Sequence, residues 1–276
     1  MSLQEFAKDA EPVYVKKLLG KILGFNIDFY KDDFILRRLR ARALIRGKKS
    51  LYDYLKLVAK DVTERKKLLE ALAIHVSEFF RDPYVWEAVK DEVFKPLIAR
   101  KKRTSSEIKI WSAGCSKGEE PYTIAILLHE MLEASMTKIS FKIYATDIDY
   151  KALEAAKRGL YPRQVLVNVP KHILLKYFIK ISDNLYAVKP FLKSYIVFKQ
   201  HDLTKDPPIP NVDVVFLRNV MIYLTKPAQI RILRNIYLAL SKNGYLVLGA
   251  SEVLPGELSK LFTIKNIRAR IYVKEA

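Results

Sequence analysis

Cysteine is nearly absent: the chain of 276 residues has one, Cys115. A lone cysteine excludes an intramolecular disulfide, and with no CxxC pair there is no signal for a structural zinc site. No apolar run approaches the roughly twenty residues needed to span a bilayer. The opening residues, Met1-Ser2-Leu3-Gln4-Glu5, lack the basic-then-apolar pattern of a secretory signal. The four histidines, at 75, 129, 172 and 201, are too scattered to indicate a metal cluster or a Ser-His-Asp arrangement. Acids are short as well: thirty Asp and Glu face forty-nine Lys and Arg, a formal net charge of +19. These features read as a soluble, cytoplasmic protein whose surface favours an acidic partner. Nucleic acid, an anionic membrane and an acidic protein segment all qualify.

What is present is a substantial core-forming complement, with 50% hydrophobic and 29% charged residues. That balance excludes a disordered chain. The first seventy residues or so read as helical. Apolar residues at mostly helical spacings fill Glu11 to Leu23, with Gly24 as a stop, and Phe34 to Arg46, with Gly47 as a stop. Leu51 to Val58 and Thr63 to His75 follow, with Thr63 as the expected cap of the last helix.

From Ile108 the pattern changes to alternating strands and helices. Strands are predicted at Ile108–Ala113, Phe141–Thr146, Val212–Leu217 and Tyr245–Leu248, with helices at Pro121–Leu132, Tyr150–Arg158 and Lys226–Leu240. Phe262–Ile264 and Ala269–Val273 read as a hairpin at the sheet edge. Such alternation implies a mainly parallel sheet with helices on both faces. The stretch from about 160 to 200 breaks the rhythm and reads as a small β insertion, with short strands at Leu185–Val188 and Ser194–Lys199.

The most informative segment is Trp111-Ser112-Ala113-Gly114-Cys115-Ser116-Lys117-Gly118-Glu119-Glu120-Pro121-Tyr122. A strand ends, two glycines frame a turn, and a helix begins. In an open parallel sheet that is where ligands bind. Neither a GxGxxG nor a GxxxxGK[ST] pattern occurs here, and Glu119 and Glu120 at the helix start would repel a pyrophosphate. Acids at this point suit an ammonium or sulfonium group. The next strand ends in Thr146-Asp147-Ile148-Asp149, where Asp147 either accepts ribose hydroxyls or caps the following helix. Asp206-Pro207-Pro208-Ile209 superficially matches a motif of amino-methylating enzymes, but it precedes its strand and reads as a turn. Cys115 reads as a small side chain in a tight turn, not a nucleophile.

Five motifs occur in order: Ser77-Glu78-Phe79-Phe80-Arg81-Asp82-Pro83, Gly118-Glu119-Glu120-Pro121-Tyr122, Asp147-Ile148-Asp149, Arg218-Asn219-Val220-Met221-Ile222-Tyr223 and Gly249-Ala250-Ser251-Glu252. With them the chain resembles the chemotaxis receptor methyltransferases, the CheR family, over nearly its whole length. The resemblance implies a Rossmann-like class I methyltransferase sheet at 73–276, with the insertion at about 160–200, behind an all-helical receptor-docking domain at 1–72. It implies S-adenosylmethionine as cofactor and methyl esterification of receptor glutamates as the reaction. His75, Ser77, Arg81, Gly114, Glu119, Glu120, Asp147, Asp202, Leu203, Arg218 and Asn219 would bind the cofactor, and Arg81, Arg218 and Tyr223 would act at the reacting end. Three residues depart from the family pattern: His75 and Asp202 stand where asparagine is usual, and Ala250 where histidine is common.

Chemistry agrees with this. A carboxylate is nucleophilic at neutral pH, so transfer from a sulfonium needs alignment and no catalytic base. Arg81 or Arg218 can hold the substrate carboxylate. The basic N-terminal helix completes the picture. Between Phe34 and Lys60 there are nine Lys or Arg and one acid, Asp53. Arg38, Arg42, Arg46 and Lys49 fall within an arc of about 80° on a helical wheel. That arc is either a solvated face or a docking surface for the receptor's acidic methylation helix. The rival functions are a nucleic-acid methyltransferase and a cofactor-binding signalling module without catalysis.

Overall fold

The computed structural model describes residues 12–23, 27–72 and 77–275. Gly24, expected to stop the first helix, and His75 lie outside them. The chain divides into two compact units, Met1–Ile74 with Tyr223–Gln229, and His75–Ile222 with Ile230–Ala276. Among the described residues no helix is long and apolar enough to cross a membrane.

In the first unit, helices α1 (Pro12–Leu23), α2 (Asp32–Ile45), α3 (Leu51–Lys60) and α4 (Val62–Leu72) enclose their own core. Phe34, Ile35, Leu39 and Ala43 of α2, with Tyr54, Leu55 and Val58 of α3, are buried there at the spacing of one helix face. Ser50 caps α3 by accepting the Asp53 N–H. The expected cap of α4, Thr63, is corrected: one Asp61 carboxylate oxygen accepts from both Thr63 N–H (2.8 Å) and Glu64 N–H (3.0 Å), and the helix starts earlier.

The second unit opens with α5 (Pro83–Ala88), a π-helical stretch (Val89–Phe94) and α6 (Lys95–Thr104), which the sequence reading did not anticipate. The main sheet then forms from β1 (Ile108–Ala113), β2 (Phe141–Asp147), β6 (Ile196–Gln200), β7 (Val212–Leu217), β8 (Leu240–Leu248), β9 (Phe262–Asn266) and β10 (Ile271–Lys274). Helices α7 (Glu119–Ala134), α8 (Tyr150–Arg158) and α11 (Lys226–Ala239) lie between them in the chain. The strand order is β6-β2-β1-β7-β8-β10-β9. The first five are parallel, and the last two add the antiparallel hairpin foreseen from the sequence. All six residues of β7 are buried, as a central parallel strand requires.

The chain runs outward from β1 to β6 and then returns to the other side of β1 as β7. That reversal makes the carboxyl ends of β1 and β7 the topological switch point of the sheet. The insertion is smaller than expected. β3 (Leu160–Pro162), β4 (Phe178–Ser182) and β5 (Leu185–Val188), with α9 (Lys171–Tyr177) between β3 and β4, form a separate antiparallel sheet. Residues from Ile196 leave it: after the short α10 (Pro190–Lys193) the chain pairs parallel to β2, with Ile143 opposite Ile196 and Asp147 opposite Gln200. Parallel pairing needs a long crossover, and the insertion sits inside that crossover.

Candidate functional site

The glycine turn after β1 is held by β2. The N–H groups of Gly114 and Cys115 both donate to the Thr146 carbonyl, at 2.8 and 2.9 Å. The Ser116 N–H donates to the Asp147 carboxylate at 2.8 Å, and the other Asp147 oxygen accepts from Asp149 N–H at 2.9 Å. Asp149, not Asp147, caps α8 by accepting from Lys151 N–H. The capping alternative for Asp147 is thereby answered. Gly118 sits at φ +95°, and a Cβ there would lie 2.8 Å from the Ala156 Cβ, so only glycine allows α7 to start this close to α8.

Three acids gather at the turn. Glu119 is buried. Glu120 accepts a 2.6 Å bond from the Ser112 hydroxyl and lies 3.8 Å from an Arg218 nitrogen. Burial pushes the Glu120 carboxyl above its ordinary value, while Arg218, Ser112 and, more weakly, Arg81 act the other way. The Cys115 thiol is pushed well up by burial and then by the negative charge of Asp147, Glu120 and Glu119. Both effects disfavour the thiolate, and the acids make the turn a site of negative potential.

Arg218, at the end of β7, has a side chain 3% exposed. It donates to the Asp82 carboxylate (2.9 Å) and to the Arg81 carbonyl (3.0 Å), and its guanidinium lies 5.1 Å from the Trp86 ring centroid. It thereby ties the strand to the turn that carries Arg81. That turn is strained, with Phe80 at φ +54° and Asp82 at φ +56°. Such conformations cost of order 1–3 kcal/mol each in a non-glycine residue. Bonds from Phe79 N–H to the Val165 carbonyl and from Phe80 N–H to the Thr123 hydroxyl help hold it. Ser77, just before the turn, is half-buried.

The structure brings Arg81, Gly114, Glu119, Glu120, Asp147, Arg218 and Asn219 to strand ends and turns of one unit. Asp202 and Leu203 follow β6 in a tight turn, where the Asp202 carboxylate accepts from the Thr204 N–H and hydroxyl. The Asp202 N–H donates to the Asp206 carboxylate, so the turn lies at 203–205 and Pro207 to Ile209 run on from it as irregular chain, a correction to the turn expected there. Tyr223 groups with the first unit: its ring centroid lies 5.0 Å from that of Phe34, and its carbonyl accepts from Lys31 N–H. Two further residues of the site carry contacts that the sequence alone does not show. Asp82 is the partner of Arg218. Glu252, 3% exposed, accepts backbone N–H bonds from Gly249, Asn219 and Met221. Both stood inside motifs already singled out, but their roles depend on tertiary contacts.

The basic arc of the first unit needs correction. Arg42 forms bonds of 2.7–3.0 Å to Glu64, which is 1% exposed, and the Tyr54 hydroxyl donates to the same carboxylate. Arg46 also lies 3.4 Å from Glu64 and 3.7 Å from Asp61. Arg42 therefore points into the bundle, where it neutralises a buried acid. Lys49, Lys56 and Lys60 are exposed, and Lys48 is half-buried. Lys48, Lys49, Lys56 and Lys60 line a surface hollow of about 490 Å³ with Asp53.

The residues of the second unit fit S-adenosylmethionine. Its ammonium and sulfonium are cations, and the three acids that raise the Cys115 thiol supply negative potential at the glycine turn. Asp147 stands at the end of β2, and a carboxylate oxygen can accept more than one bond, so its backbone bonds leave it able to take ribose hydroxyls.

Comparison with known proteins gives the same direction. A family model described as CheR methyltransferase, all-alpha domain, matches residues 14–73, and one described as CheR methyltransferase, SAM binding domain, matches residues 75–271. A chemotaxis protein methyltransferase of Borreliella burgdorferi is 32% identical over 245 residues, covering 87% of this chain and 87% of that protein. Chemotaxis protein methyltransferase 1 of Pseudomonas aeruginosa is 32% identical over 250 residues, covering 88% of each. An uncharacterized 104.1 kDa protein of Rhodobacter capsulatus is 34% identical over 94% of this chain, but the chain spans only 27% of that protein.

Proposed function

This chain belongs to the CheR methyltransferase family, and from that premise we propose that it methylates glutamate side chains of chemotaxis receptors, using S-adenosylmethionine. The observation that carries the reading is the set of acids and Arg218-anchored turns at the switch point of the sheet, within the segment that matches the SAM-binding domain. Methyl transfer is assigned to residues 73–276 and receptor docking to residues 1–72. Because the glutamates of such receptors lie on cytoplasmic helices, the enzyme is assigned to the cytoplasm.

When bound, the cofactor supplies a methyl group made electrophilic by its sulfonium. Every remaining task is one of binding and alignment. Asp147 takes the ribose hydroxyls, and Glu119 and Glu120 attract the cationic end. Ser77, Gly114, Asp202, Leu203 and Asn219 complete the cofactor contacts that the family resemblance assigns. Arg81 holds the incoming carboxylate by charge-assisted bonds. Arg218, engaged with Asp82 and the Arg81 carbonyl, fixes the turn beneath it and so acts mainly through Arg81. Tyr223 is assigned to orient the carboxylate, on the resemblance alone.

For docking, Lys49 is retained and joined by Lys48, Lys56 and Lys60. Their hollow offers positive charge to an acidic helix, and no ion pair to an acid is found for them among the described residues. Arg38 remains a candidate and Arg42 is withdrawn.

The test is incubation with tritium-labelled methyl donor and either receptor cytoplasmic fragments or RNA. Label on the receptor that mild alkali releases as methanol is the expected result. Stable label on RNA would overturn it in favour of nucleic-acid methylation. No transfer, with cofactor binding intact, would make the chain a binding module.

A further inference from the structure

We propose that Glu252 is a positioning residue for methyl transfer, its carboxylate fixing the 219–222 turn at the carboxyl end of β7. The inference rests on the methyltransferase reading. Strands β7 and β8 run parallel with Leu217 opposite Leu248, so their carboxyl ends emerge side by side. Both then turn about one side chain. One Glu252 oxygen accepts from Gly249 N–H at 2.7 Å and Asn219 N–H at 2.8 Å, and the other accepts from Met221 N–H at 2.7 Å. A further bond comes from the backbone of Ile222. The side chain is only 3% exposed, so water cannot substitute for these bonds.

The turn so held is demanding. Asn219 lies at φ +60°, a conformation that asparagine tolerates better than most residues but that still needs support. The turn follows Arg218 directly, and Val220 packs against Gly114 so closely that a Cβ on the glycine would lie 2.5 Å from its methyl. Glu252 thereby links the β7 turn to the glycine turn of the cofactor site without itself belonging to either. Gly249 is fitted to the same junction: a Cβ there would lie 2.7 Å from the Glu252 oxygen and 2.8 Å from the Asn219 nitrogen.

The chemistry of the bond set makes the carboxylate specific. Both oxygens face N–H donors. Glu252→Gln keeps the shape, but whichever way the amide turns, its NH2 group meets a donor. The turn should loosen while the surrounding core stays packed. Gly249→Ala perturbs the junction independently, by driving a methyl group between the carboxylate and Asn219.

The experiment compares wild type, E252Q and G249A at a temperature where melting curves show each to be folded. Amide hydrogen exchange in the 218–223 segment should rise at least tenfold in both variants. The kcat for receptor methylation at saturating cofactor should fall at least tenfold. The Kd for S-adenosylhomocysteine, by calorimetry, should rise only about three- to tenfold, the loss of roughly one hydrogen bond at Asn219, since Asp147 and Glu120 lie on other elements. Wild-type exchange or wild-type kcat in a folded E252Q overturns the proposal. So does failure of both variants to fold, which would make Glu252 a folding residue only. Absence of methyl transfer by the wild type would instead sink the methyltransferase reading, and exchange would still report on the turn.

Discussion

Asp147 accepts from two backbone N–H groups at once, and those bonds set the carboxylate at the end of β2 in one orientation. Asp147→Ala should weaken S-adenosylhomocysteine binding about ten- to a hundredfold, the range for losing hydrogen bonds to a charged group. Calorimetry checks this, and wild-type affinity would refute the ribose assignment. Glu120 gives a pH prediction. Burial raises its folded-state pKa above the ordinary 4.5, so the folded chain holds the proton more tightly than the unfolded chain. Its contribution to stability is then complete below the unfolded pKa and lost as pH rises through the folded one. Urea denaturation across a pH series should show E120Q gaining on the wild type as pH rises from about 4.5. A difference independent of pH would contradict the direction of the shift. At this scale the sequence was a good guide to identity and a poor one to role. Asp147 and Glu120 stood out as acids at a strand end and a helix start, and Arg218 stood out only through the family resemblance. That Arg218 is buried against Asp82, and that Glu252 collects backbone amides, depends on distant residues that no local pattern reports.

Among the elements, periodicity made most of the sheet legible and left β6 without a clear partner. Tyr150–Arg158 and Val212–Leu217 matched the structure end to end, since one has a cap at Asp149 and the other an unbroken apolar run. β6 reads as part of the insertion because it is a short edge strand, with only Ile196 buried. Such a strand has too little pattern to announce its partner. The helical stretch from Pro83 to Thr104 did have a signal, in Trp86, Val89, Val93 and Leu97 at intervals of three and four, all buried. In the first unit, the helical wheel put Arg42 with its basic neighbours but could not show Glu64 waiting on α4. Arg42→Ala should therefore destabilise the protein by about 3–5 kcal/mol, the cost of leaving a buried acid uncompensated, with Arg46 and Tyr54 holding it to the lower end. Urea denaturation measures this. A loss below 1 kcal/mol, the range of surface ion pairs, would mean that Arg42 is a surface residue after all.

For the whole molecule, a net charge of +19 limits the partners without choosing one. The family and the site supply the choice, and the lysine hollow gives part of the charge a location. Replacing Lys49, Lys56 and Lys60 with alanine should lower the rate of receptor methylation roughly three- to tenfold, at about 0.2–0.5 kcal/mol for each exposed charge. It should also flatten the salt dependence of that rate while leaving cofactor affinity unchanged. An unaltered salt dependence would remove the hollow from the docking surface. The central claim is the bond that is made, and intact-mass spectrometry of a receptor cytoplasmic fragment tests it most directly. After incubation with the protein and S-adenosylmethionine, the fragment should gain whole methyl increments on glutamate residues, and mild alkali should remove them. Increments that survive alkali, or a fragment of unchanged mass beside a protein that binds the cofactor, would contradict the account.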